Sequence, residues 1–120
     1  MRILLVSDLH YTLPQLDWVV RHAPAFDVVV IAGDHLDVSS PVPLDTQSVV
    51  LLHYFSLIKP ARSLVLASGN HDLTGADRNG ERAAVWLPES RRPGVLTDAD
   101  SLRMGDGDTL FTVCPWWDGP

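Results

Sequence analysis

Three short apolar runs, each ended by a cluster of carboxylate, imidazole or amide side chains, constrain this chain more than any other feature. Ile3–Val6 leads into Asp8-Leu9-His10, and the valine-rich run Asp27–Ala32 into Gly33-Asp34-His35-Leu36-Asp37. Ser63–Ala67 leads into Gly69-Asn70-His71-Asp72. Runs this short fall below the roughly 10–12 residues expected of a helix, and their continuous apolar character predicts strands buried on both faces.

Helical patterns separate the runs. Pro14 suits a first helical turn, Leu13, Leu16, Val19, Val20 and Ala23 recur on one side, and Pro24 stops the helix. After a loop at Ser39–Pro43, a second helix extends from about Asp45, a candidate N-cap, to Lys59. It carries Val49, Leu52, Phe55 and Leu57 before Pro60 ends it. Strands alternating with helices imply an α/β fold with a parallel sheet. Glu81–Pro88 reads as a short helix with Ala84 and Trp86 among its apolar residues. Leu102–Met104 and Thr109–Val113 flank Gly105-Asp106-Gly107-Asp108, the pattern of a β-hairpin with a four-residue turn that opens an added sheet.

Composition narrows the function classes. At 120 residues the chain is sized for one small domain, and 9 basic against 15 acidic residues give a net charge of −6. That balance disfavours long nucleic acids, which call for a basic face. A small phosphorylated substrate is compatible with it, because bound divalent cations reverse the local field. The single cysteine, Cys114, rules out an internal disulfide and reads as a small buried hydrophobe. The first apolar run is too short for a signal-peptide core, and no stretch approaches the roughly 20 apolar residues that span a bilayer. A cytoplasmic protein without a membrane partner is expected.

In open parallel sheets, ligands bind beyond the carboxyl ends of the strands, so all three polar clusters fall at one sheet edge. Carboxylate, imidazole and amide oxygen without thiolate suit hard or borderline divalent cations. An extended Asp-x-His would put Asp8 and His10 on one side of the backbone. Asp34 can bridge two cations and Asn70 can offer its side-chain oxygen, while Gly33 and Gly69 let the chain turn where a strand ends. Asp72 reads as stabilising its own turn, and His35 as filling a variable position in its motif. Arg78, Arg82, Arg91 and Arg92 read as a solvated basic face, and Trp116 and Trp117 as core or cleft-lining residues.

These clusters resemble the D-x-H, G-D-x-x-D and G-N-H-D/E motifs of the calcineurin-like metallophosphoesterase superfamily, in the same order, over Met1 to at least Asp72. The resemblance implies an α/β/β/α sandwich, of which this chain supplies the first parallel sheet, its flanking helices and a hairpin of the second sheet. It implies two divalent metal ions (Mn, Fe, Zn or Ni), with Asp8 and His10 on the first, Asp34 bridging and Asn70 on the second. His71 would be the catalytic imidazole and Asp37 the carboxylate that orients it. The implied activity is hydrolysis of phosphomonoesters or phosphodiesters, in which a close metal pair holds the phosphate and acidifies a water.

Members of that superfamily also carry a later lone histidine and a G-H-x-H. The histidines here are His10, His22, His35, His53 and His71, none of them after Asp72. By resemblance the first metal is one ligand short and the second two short, so residues 1–120 are expected to be a partial domain truncated at its carboxyl end. A metal-binding or protein-interaction scaffold of the same ancestry is the alternative. An ordinary nucleotide-binding domain is disfavoured because no glycine-rich loop follows Ile3–Val6.

Overall fold

The computed structural model describes residues 1–104 and 107–118. Four parallel strands form the central sheet in the order β1-β2-β3-β6: β1 (Ile3–Val6), β2 (Val28–Ala32), β3 (Ser63–Ala67) and β6 (Val95–Leu96). Helix α1 (Leu13–His22) connects β1 to β2, and α2 (Leu44–Leu57) connects β2 to β3. Two antiparallel hairpins follow β3 in the chain: β4 (Gly75–Ala76) with β5 (Arg82–Ala83), and β7 (Ser101–Met104) with β8 (Thr109–Thr112). The α/β class, the parallel sheet and the C-terminal hairpin agree with the sequence reading. Residues 105 and 106 of the four-residue turn lie outside the described residues.

Alternation along the strands sorts the core into two layers. Leu4, Val6, Val29, Ile31, Leu64, Leu66 and Val95 face the helices and pack with Leu16 and Val19 of α1 and Leu51 and Phe55 of α2. Val28, Val65 and Leu96 face the other way and meet Met104, Phe111 and Val113 from the last hairpin and its continuation. That hairpin covers only part of its face. Ile3 is 44% and Leu5 65% exposed, so β1, an edge strand, is half-buried on one face and open on the other, contrary to the expectation of two buried faces. Among the described residues no helix is long and apolar enough to cross a membrane.

Several local expectations are corrected. Helix α2 turns Gln47, Leu51 and Phe55 inward and leaves Val49 and Leu57 exposed. It is apolar on most sides, so periodicity alone could not select its buried stripe. Its N-cap is Pro43, with Asp45 inside the first turn. Glu81–Pro88 is not a helix: Arg82–Ala83 pairs with Gly75–Ala76, and a 3-10 turn spans Leu87–Ser90. Asp77 decides this, because its Oδ1 accepts the Asn79 and Glu81 amides and draws the chain into a tight reversal. Cys114 is exposed rather than buried, and Trp116 and Trp117 are half-exposed or more. The two-residue strand β6 carried no readable period.

Candidate metal centre

The loops after β1, β2 and β3 are stitched to one another where the sheet ends. Parallel pairing runs on past the strands, with Asp8 N donating to Gly33 O (3.2 Å), His10 N to Asp34 O (3.0 Å) and Tyr11 N to His35 O (2.8 Å). The third loop joins through a carboxylate. Asp72, fully buried, accepts His35 N (2.9 Å) and Leu36 N (3.0 Å) on Oδ1 and Gly69 N (2.8 Å) on Oδ2. Its role therefore exceeds the stabilisation of its own turn: it ties the second motif to the third.

The backbone is strained where the side chains converge. Asp8 (φ 55°), His10 (φ 43°) and Asp34 (φ 54°) all occupy the left-handed region, which costs a non-glycine residue about 1 kcal/mol or more. The Asp-x-His segment is thus not extended, and the convergence of Asp8 and His10 comes from two left-handed turns rather than from a strand's pleat. Gly33 (φ 87°) does need conformational freedom. Gly69 is required for another reason. A Cβ there would collide with Oδ1 and N of Asp34, so the bare backbone lets the second and third loops touch. Gly69→Ala is expected to displace Asp34 and weaken Mn²⁺ binding more than about tenfold, on the scale at which support of a ligand is lost. Calorimetric titration beside a retained far-ultraviolet circular dichroism spectrum checks this.

His10, Asp34 and His71 each present a donor atom within 4.8 Å of the others, a group able to hold a metal ion. His10 Nδ1 donates to Leu36 O (3.1 Å), which leaves Nε2 facing Asp34 Oδ2 at 3.9 Å and Asp8 Oδ1 at 3.8 Å. The His10 and His71 ring centroids are 4.8 Å apart. His71 Nδ1 is buried without a hydrogen-bond partner among the described residues, while the His71 backbone N–H donates to Asp34 Oδ1 (3.1 Å). The Asn70 side-chain amide lies 3.2 Å from both Asp34 oxygens; it can donate its NH₂ to the carboxylate or, turned over, present its oxygen beside it. Neither Asp8 nor Asp34 has a lysine or arginine partner among the described residues. Facing carboxylates, an imidazole nitrogen held for lone-pair donation and an orphaned second imidazole nitrogen form a donor set that fits a divalent cation.

Two sequence-derived residues stand apart from this convergence. Asp8 is the outermost, its side chain 66% exposed and its Oδ2 accepting Ser7 Oγ (2.6 Å). The Asp37 carboxylate turns to Ser39 rather than to His71, accepting the Ser39 N–H (2.9 Å) and Oγ–H (2.7 Å) on Oδ1. The Ser39 side-chain and backbone bonds hold the Asp37 carboxyl below the usual carboxylate range, with smaller contributions from the charges of His10 and His71. His35 turns inward. It is buried edge-on against Phe55 and Trp86, with Nε2 donating to Ala67 O (2.9 Å). No sequence signal separated this core histidine from its neighbours in the motif. Three of the four arginines serve the scaffold: Arg92 donates to Phe55 O and Ile58 O at the end of α2, Arg91 pairs with Asp100 and Arg82 with Asp118.

A four-stranded parallel sheet whose carboxyl edge gathers imidazole and carboxylate donors defines an α/β protein with a candidate divalent-metal site. The chain belongs to the calcineurin-like phosphoesterase family, whose sequence profile matches residues 1–112. Family members generally use divalent metals. Comparisons with curated proteins and with solved structures returned no match.

Proposed function

We propose that this protein hydrolyses phosphoester bonds, in phosphomonoesters or phosphodiesters, with two divalent cations. The observation that carries the reading is the convergence of His10, Asp34 and His71 at the sheet edge, with Asn70 against Asp34. Asp8 and His10 would hold one cation, Asp34 would be shared, and Asn70 would turn its amide oxygen to the second. The cations, when bound, would supply charge neutralisation for the phosphate and activation of a water.

The chain's own groups account for the remainder. Asp34, held by the His71 amide, keeps the second and third loops in register. His71 would give a proton to the departing oxygen. The acidic balance of the chain fits a small phosphorylated substrate better than a long nucleic acid, and a cytoplasmic setting accords with the lone cysteine.

The proximity of His71 to His10 and Asp34 also supports a second role, that of a metal ligand. Mn²⁺-dependent hydrolysis of an aryl phosphate or a bis-aryl phosphodiester tests the main reading, and His71→Ala separates the two roles. A catalytic His71 predicts turnover reduced by about 100-fold or more with Mn²⁺ affinity kept within a few-fold. Loss of both makes His71 a ligand. Mn²⁺ binding by the unaltered protein without turnover on either ester would favour the metal-binding scaffold.

A further inference from the structure

Gln47 lies outside every metal-ligand motif, on the second turn of the α2 helix, yet it is fully buried. A buried glutamine is costly unless its amide is satisfied, and this one is bonded on both ends. Its Oε1 accepts Asp37 N (2.9 Å), and its Nε2 donates to Asp37 O (2.9 Å) and to Val42 O (2.9 Å). One side chain thus grips the peptide groups on both sides of Asp37. Both Nε2 hydrogens are used, so the amide has a single favourable orientation.

The Leu36–Asp37 peptide group, whose N–H Gln47 accepts, also offers its carbonyl to His10 Nδ1, so the gripped residue adjoins a candidate metal ligand. With both flanking peptide planes held, the φ and ψ of Asp37 have little freedom. The Ser39 bonds then act on a carboxylate that already has a set direction. Among the described residues, the other hydrogen bond to the Asp37 backbone is local: Ser40 N–H donates to Asp37 O within the loop (3.3 Å).

We infer that Gln47 is a positioning residue for Asp37: its amide transmits the fixed placement of α2 to the carboxylate beside the candidate metal centre. The contact is a matter of geometry, whereas its consequence for turnover rests on the phosphoesterase reading. Gln47→Met preserves length and burial but removes all three bonds.

The first test is amide hydrogen exchange followed by NMR on the metal-free protein. Asp37 N–H is expected to exchange at least about tenfold faster in Gln47→Met than in the parent, with the β2 and β3 amides unchanged, as for a local opening. Unchanged exchange at Asp37 overturns the inference. The second test is a double-mutant cycle with Asp37→Asn under Mn²⁺. Gln47→Met is expected to lower kcat about tenfold or more in the parent, with KM and Mn²⁺ affinity within about twofold, and to cost nothing further in the Asp37→Asn background. Additive losses in kcat overturn it. Where Gln47→Met does not fold, Gln47→Leu replaces it in both tests, since it too is apolar and removes all three bonds. Absence of turnover in the parent would count against the phosphoesterase reading alone, and the exchange measurement would still decide the positioning role.

Discussion

Asp34→Asn is expected to weaken Mn²⁺ binding by about 100-fold or more while leaving the fold intact. The affinity estimate follows from the scale for supporting partners of a metal ligand, about 10–100-fold, which a shared ligand should reach or exceed. Asp34 faces His10 Nε2, touches the Asn70 amide and accepts the His71 N–H, so three of the other candidate residues meet at its two oxygens. The substitution removes a charge and replaces one of those oxygens with a donor. Stability should suffer little, because asparagine tolerates the left-handed backbone at this position (φ 54°) and its remaining oxygen can still accept the His71 amide. Calorimetric Mn²⁺ titration beside a thermal melt separates the two quantities. An unchanged dissociation constant would remove Asp34 from the site, and a collapsed melting temperature would make it structural.

Asp72→Ala should act in the opposite way, by unfolding the scaffold. The change strands three buried N–H groups, those of His35, Leu36 and Gly69, that now share one carboxylate. Each buried donor left without a partner costs about 1–3 kcal/mol, so a loss of about 3–5 kcal/mol is expected after partial relaxation. In a domain of this size that corresponds to a fall in Tm of roughly 10–20 °C. Asp72→Asn should be milder. Its oxygen can keep the His35 and Leu36 bonds, and only Gly69 N–H would face another donor. Urea denaturation of the two variants and the parent measures the difference. A loss below about 1 kcal/mol for Asp72→Ala would show that backbone pairing between the loops holds them without the carboxylate.

Elements that owe their shape to local chemistry were legible. Apolar runs too short for helices became β1, β2 and β3. Pro14 and Pro24 bracketed α1, and Pro60 followed α2. Elements defined by long-range partners were not legible. β6 is two residues long and exists because Leu64 and Val65 lie beside it, and Arg82–Ala83 pairs with a hairpin partner that an Asp77 turn brings back. The buried stripe of α2 also escaped reading: a helix apolar on most sides gives no preferred direction until a sheet is laid against it.

The candidate site divides along the same line. Sequence by itself determined which donor groups are on offer, by setting Asp8, His10, Asp34, Asn70 and His71 shortly after three short strands, where a parallel sheet presents them at one edge. Tertiary structure decided which of them meet and what holds them. It drew His10, Asp34 and His71 together, left Asp8 at the rim and turned Asp37 to Ser39. It also turned His35 into the core and gave Asp72 and Gln47 to the backbone of the neighbouring loop. The physical reason is that the formation of strands and helices is written in short-range patterns. The direction of a polar side chain in a tight loop depends instead on which buried N–H and C=O groups lack a partner, and those are known only once the three loops are side by side.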